Sequence, residues 1–267
     1  MQGAVSLTDR GDVKIHTYTA PEQGLLVNTH LIELPTQILA VDAQYGLPYA
    51  AEVAEYARSL GKPISRTYIS HEHPDHFFGA AVLGAPIYAL AEVKAAIDAA
   101  GDTMAANNHA QYGDFVPSSA PRLNHTVEPA ETTIDGVRIE FRRARDTEAE
   151  AILNVALPDH GVIVAQDVVY NRVHVFVADR RFEQWTAALR DYERLPYEIV
   201  LPGHGAPAGR ELYGQVREYL AAAKDLVERA ESGEQLKASL IERFPDYRGE
   251  ILLDVQNMYL FPASPAA

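Results

Sequence analysis

The sequence predicts an α/β fold on three observations. Segments rich in β-branched and aromatic residues recur along the chain, stretches with apolar residues at three- and four-residue steps lie among them, and each half sets a sheet-forming block before helices. Composition agrees with this class. Over 267 residues, 47% hydrophobic and 22% charged side chains are those of a globular protein able to bury a sizeable core. No run of eighteen apolar residues is present, so no membrane span is expected. Residues 1–10 lack the basic start and apolar centre of a secretory signal, and a cytoplasmic location is expected. The absence of cysteine excludes disulfides, thiolate metal sites and cysteine nucleophiles together. A formal net charge of −14 argues against nucleic acid as partner, because phosphate neutralisation needs clustered Lys and Arg. The expected partner is a small-molecule substrate; the oligomeric state is left open, a homodimer included.

Taken in order, Val13–Tyr18 alternates as a strand, Gly24–Glu33 is apolar enough for a buried one, and Gln37–Gln44 is a third, with Asp42 near its end. Val53, Tyr56, Ala57 and Leu60 mark an amphipathic helix over Tyr49–Leu60, stopped by Gly61. A strand over Ile64–Ser70 follows, and Phe77–Val82 can open a helix. Pro86–Ala89 reads as a short strand and Ala91–Ala100 as a helix ending at Gly101. Residues 101–129, with Asn107-Asn108, Pro117 and Pro121, read as a long loop that can cover a functional site. There His109, Tyr112, Phe115 and His125 either touch substrate or fasten the loop to the surface. Thr132–Phe141 is a hairpin turning at Asp135-Gly136, and Ile152–Leu157 with Val162–Ala165 make a second through Pro158–Gly161. A helix over Phe182–Leu195, a last clear strand at Glu198–Leu201, helices at Glu211–Glu231 and Glu234–Phe244, and a helical tail at Tyr247–Leu260 complete the chain. The organisation is one domain, 1–267, with a C-terminal helical extension over about 211–261.

Chemistry is concentrated in His71-Glu72-His73-Pro74-Asp75-His76, where three imidazoles and two carboxylates lie within six residues between a strand and a helix start. In layered α/β folds that connection is where ligands bind. In extended backbone His71 and His73 point to one side, so one ion can take both. Pro74 keeps His73 out of the helical region, and Asp75 and His76, past the bend, can face a second ion. The alternative, a cluster of solvated surface histidines, does not account for so dense a group framed by a strand and a helix.

His71, His73, Asp75 and His76 fill the HxHxDH pattern, and in this the chain resembles the metallo-β-lactamase superfamily. The resemblance implies a four-layer αβ/βα sandwich of two mixed β-sheets flanked by helices, with a one- or two-metal site at the sheet edge. It implies an outer buttress at Asp42, for which a plain turn-forming aspartate is the competing reading. It also implies a bridging carboxylate at Asp167, ending its strand, and a last histidine ligand at His204 within Leu201-Pro202-Gly203-His204-Gly205.

One departure stands out. Where most relatives carry a Gly-His-Thr segment, this chain has Arg145-Asp146-Thr147-Glu148-Ala149-Glu150. The Thr147-Glu148-Ala149 pattern resembles the alkylsulfatase branch, where a glutamate replaces the missing histidine. Glu148 is therefore favoured as ligand, Asp146 is the alternative, and a degenerate first site is the third reading. The implied cofactors are two divalent metal ions, zinc first, with manganese or iron tolerated by so anionic a first site.

The resemblance implies a metal-dependent hydrolase in which a metal-bound hydroxide cleaves an ester-like bond, a lactone or other carboxylic ester being favoured. Asp75 and Tyr170 are the expected catalytic side chains: Asp75 takes or relays a proton, and Tyr170, three residues after Asp167, reaches the substrate carbonyl as in the lactonases. His174 is a candidate for the pocket wall. No Gly-x-Ser-x-Gly elbow is present. A sulfate-ester or thioester hydrolase is the alternative within the class, although only Lys224, Arg229 and Lys237 supply C-terminal positive charge for a glutathione-like substrate. A mono-iron oxygenase or a non-catalytic metal-binding protein stands for other classes.

Overall fold

The computed structural model describes residues 1–262; positions 263–267, the end of the expected domain, lie outside the described residues. Two mixed sheets face each other, flanked by helices. In the first, β1 (Ala4–Asp9), β2 (Lys14–Thr19), β3 (Asn28–Glu33) and β4 (Ile38–Val41) are antiparallel neighbours. β5 (Ile64–Tyr68), β6 (Ile87–Ala89) and β7 (His125–Thr126) continue the sheet in parallel. The second sheet contains β8 (Ala130–Ile134), β9 (Val137–Arg145), β10 (Ala151–Leu157), β11 (Val162–Tyr170), β12 (Ile199–His204) and β13 (Ala208–Gly209), paired in that order with only β11 and β12 parallel.

Burial follows the sheet positions. β10 and β11 are buried at every residue, which is why they read as apolar runs interrupted only by Asn154, Gln166 and Asp167, whereas β9 nearer the edge begins with Val137, Ile139 and Phe141 inward and Arg138 outward. The helices are α1 (Leu47–Ser59), α2 (Pro74–Phe77), α3 (Ala91–Tyr112), α4 (Phe182–Tyr192), α5 (Glu211–Arg229), α6 (Gly233–Arg243) and α7 (Glu250–Leu260). α5 shows the packing rule: Leu212, Val216, Tyr219, Leu220, Ala223 and Val227 form its buried stripe. Among the described residues no helix is long and apolar enough to cross a membrane.

Several expectations are corrected. The helix expected to stop at Gly101 runs on to Tyr112 as α3. Gly101 is buried, and a Cβ there would come within 2.9 Å of the Cβ of Ala120, so the glycine serves the close approach of the following segment rather than a helix end. The loop expected over 101–129 is correspondingly short, and its side chains fasten it down. Phe115 packs edge-on against Tyr45 and Tyr49, Tyr112 against Tyr45, His125 stacks on Tyr88, and the His109 ring is hydrogen-bonded to the Val116 carbonyl. His76 lies within the short helix α2, and a 3-10 turn over Phe78–Leu83 follows it in place of a continuous helix. β11 does not end at Asp167 but reaches Tyr170 through a register irregularity at Gln166, whose φ is +48°. β1 and β13 carry no clear signal in the sequence. β1 is a mostly exposed edge strand, and β13 is two residues long.

Candidate metal centre

The site forms where β5, β11 and β12 end against the turn at residues 146–150. Seven side chains reach it. Pro74 starts α2 at its first position, which leaves His73 extended at φ −75°, ψ 139° and swings Asp75 and His76 away from His71 and His73. His71 Nε2 lies 3.1 Å from Glu148 Oε2, and His73 Nδ1 lies 3.0 Å from Glu148 Oε1. On the other side His76 Nε2 and His204 Nε2 lie 3.5 and 3.4 Å from Asp75 Oδ2. Asp167 stands between the two groups, with Oδ1 3.4 Å from His76 Nε2 and Oδ2 3.2 Å from His204 Nε2. Three sets therefore have ligand atoms close enough to share an ion: His71, His73 and Glu148; His71, His76 and Asp167; and Asp75, His76 and His204. Asp146 is exposed with φ +52°, whereas Glu148 is buried in the centre.

Asp42 fixes the imidazoles from behind. With φ at +61°, its carboxylate accepts from the Ser70 N–H (2.7 Å), the Ser70 hydroxyl (2.7 Å), the His76 Nδ1–H (2.6 Å) and the Gln166 amide. Ser70 has one hydroxyl proton and gives it to Asp42. His71, whose Nδ1 is 2.8 Å from Ser70 Oγ, must then donate from Nδ1. Nε2 of each ring is left as the atom facing the centre, able to take a cation in place of a proton, and one carboxylate fixes Nδ1 as the donor on each side of it. The His204 Nδ1–H donates to the Leu25 carbonyl at 2.8 Å, which exposes its Nε2 in the same way.

The loop carrying His204 is held by the opposite sheet. The Asn28 amide donates to Pro202 O (2.8 Å) and Gly205 O (2.6 Å), and the His30 Nε2–H also donates to Pro202 O (2.9 Å). Neither residue is anticipated as functional from the sequence. The available signal is an amide and an imidazole at period two in a strand read as buried. Gly203 permits the approach of Asp167, since a Cβ there would lie 1.7 Å from Asp167 Oδ1.

The electrostatics are those of a site built for cations. His71 Nε2, His76 Nε2, Glu148 Oε2 and Asp167 Oδ1 are buried without a hydrogen-bond partner. Each such atom costs ~1–3 kcal/mol unless something satisfies it. Burial opposes charge throughout, but the carboxylates outweigh it on the imidazoles. Glu148 raises His73 to about 9, Asp167 with Asp75 raises His204 to about 10, and Asp167, Asp75 and Asp42 hold His76 well above the usual range. In return, against the same cost of burial, His76 and His204 hold Asp75 and Asp167 low, and His73 with His71 lowers Glu148. These protons occupy positions that a divalent ion can take with better charge balance, so the donor set, borderline nitrogen and hard oxygen, fits zinc, manganese or iron.

Tyr170 is buried, stacks on the His204 ring at 4.7 Å, and its hydroxyl donates to Asp167 Oδ2 at 2.6 Å and lies 3.2 Å from Glu148 Oε1. Burial and these two carboxylates push its pKa well up, so it remains a protonated donor. His174 is not part of the pocket wall: it packs on Tyr219 and Tyr247 beneath α5, and burial lowers its pKa to about 4. Phe176 stands against His73 instead, with ring centroids 5.4 Å apart.

Two mixed sheets flanked by helices, with a buried imidazole and carboxylate cluster at their edge, define a metal-binding α/β sandwich. A family model described as the metallo-beta-lactamase superfamily matches residues 23–204, and the chain belongs to that superfamily. The fold is shared with a metallo-beta-lactamase from Pontibacter korlensis (18% identity, TM-score 0.62, covering 82% of this chain and 99% of that one). A beta-lactamase domain protein from Burkholderia ambifaria is similar over 96% of this chain and 90% of its own (21% identity, TM-score 0.66). The metallo-beta-lactamase FIM-1 from Pseudomonas aeruginosa, solved in a mono-zinc form, matches 82% of this chain and 96% of its own (20% identity, TM-score 0.58).

Proposed function

We propose that the protein is a metal-dependent hydrolase of an ester-like bond in a small molecule, with lactones or other carboxylic esters as the favoured substrates. The observation that carries this reading is the convergence of seven ligand-type side chains on one buried centre, four of their atoms lacking any other partner. His71, His73 and Glu148 would hold one divalent ion, Asp75, His76 and His204 a second, with Asp167 shared. Such ions, when bound, polarise the scissile group and make water a nucleophile at neutral pH.

The chain's own residues do the rest. Asp75 is 11% exposed against 2% or less for His71, His76, Glu148, Asp167 and His204, so its carboxylate is placed to take a proton from entering water and pass it outward. The Tyr170 hydroxyl donates to Asp167 when nothing else engages that oxygen. With Asp167 occupied by cations, the same O–H is free to donate to the oxygen on which charge develops. The pairing of the C-terminal cations Lys224, Lys237 and Arg229 with Glu183, Asp254 and Asp225 favours a carboxylic ester over a polyanionic thioester.

Zinc-loaded protein assayed on a panel of lactones, carboxylic esters, thioesters and sulfate esters tests the reading. Turnover of lactones or carboxylic esters, abolished by chelation and restored by zinc, is expected. Turnover confined to sulfate esters or thioesters shifts the assignment within the class, and a loaded protein inert on the whole panel overturns it.

A further inference from the structure

The metal centre is closed on most sides and accessible on one. The His73 side chain is 26% exposed, whereas His71, His76 and His204 are 0–1% exposed. An aromatic side chain borders His73 on that open side. The Phe176 ring meets the His73 ring edge-on, and the Tyr259 ring of α7 meets Phe176 in the same manner at 6.0 Å. Tyr259 remains 69% exposed and its neighbour Met258 61% exposed, so the helix ends in uncovered hydrophobic surface beside the opening.

The segment bearing Phe176 is fixed to the C-terminal helices. The His174 N–H donates to the Arg248 carbonyl at 2.9 Å, and the Val177 N–H donates to Gln256 Oε1 at 3.2 Å from buried Gln256. α7 therefore both anchors this wall and extends it, although it lies beyond the residues matched to the family model. Large exposed aromatic and thioether side chains next to a reactive centre favour a ligand that covers them with hydrocarbon.

We infer that Tyr259, with Phe176, forms the apolar wall of the substrate cleft and selects substrates whose acyl portion is a hydrocarbon chain or ring. This rests on the hydrolase reading for the word substrate but not for the binding itself, so the test reads binding and turnover separately.

The probe is a series of straight-chain alkyl carboxylates from acetate to decanoate, titrated calorimetrically into zinc-loaded protein, wild type and Tyr259→Ala. Wild-type affinity is expected to rise about two- to fourfold per methylene over the first several carbons, the range set by partial to full burial of each group. In Tyr259→Ala that slope should fall by at least half while zinc content stays the same, and Tyr259→Phe should restore it. The ratio of kcat/KM for a hexanoyl over an acetyl ester should fall in parallel. Affinity independent of chain length in the wild type, or a slope untouched in Tyr259→Ala, overturns the inference. A chain-length slope that depends on Tyr259 in a protein without turnover leaves the wall standing and removes the hydrolase reading alone.

Discussion

Asn28 is the position where the fold and the metal centre are most directly coupled, and its replacement gives a sharp test. Its amide, oriented by the Thr19 hydroxyl (2.6 Å to Asn28 Oδ1), is the donor to both carbonyls that flank His204. Asn28→Ala removes two hydrogen bonds worth ~1 kcal/mol each and leaves the partly buried Gly205 O to water. Pro202 O keeps the donor from His30. The total is ~2 kcal/mol, spent partly on stability and partly on freedom of the loop that presents His204. Since ~1.4 kcal/mol is a factor of ten, and losses of outer supports to metal ligands cost ~10–100-fold, the ion held by His204 should bind ~10–100-fold more weakly. The ion that His71, His73 and Glu148 would hold should be unaffected, because the polar partners of these side chains lie outside β3. Competitive zinc titration separates the two steps. Equal weakening of both, or a lowered melting temperature with both affinities intact, would refute the coupling. Asn28→Asp, which turns two donors into acceptors facing carbonyls, should be at least as damaging.

Two further outcomes are expected. Gly203→Ala places a Cβ 1.7 Å from Asp167 Oδ1 and should displace that carboxylate, costing the shared ligand along with stability, measured as zinc content and melting temperature together. Zinc binding at pH 7.5 should release about three protons, from His73, His76 and His204, whose raised values keep them charged in the metal-free protein. Apparent affinity must then rise with pH through about 9 to 10, where His73 and His204 lose their protons unaided. Calorimetry in buffers of different ionisation heat counts the protons, and a count of zero contradicts the assigned charge states.

The parts of the molecule that were legible in the sequence are those where one local rule acts alone. The fully buried β10 and β11 show as apolar runs, the Asp135-Gly136 turn as a hairpin, and the spacing within His71–His76 as two ligand groups separated by Pro74. The rest depends on contacts between distant segments. Gly101 resembles a helix stop until Ala120 is seen against it, and Asp167 resembles a strand end although β11 continues past it through the kink at Gln166. Between Glu148 and Asp146 the sequence offered two carboxylates two positions apart. The choice falls to the backbone, which turns at Asp146 and sends one side chain inward and the other to solvent. Asn28 and His30 are invisible as site residues because their role lies some 170 positions away in the chain, at Pro202.

The central claim is that these side chains hold two divalent ions, and direct quantification of zinc per chain tests it. Wild type and Asp146→Ala should each retain two, while Glu148→Ala and His204→Ala should each retain one. A wild-type chain that takes up no zinc, manganese or iron, or a Glu148→Ala chain that keeps two ions where Asp146→Ala loses one, would contradict it.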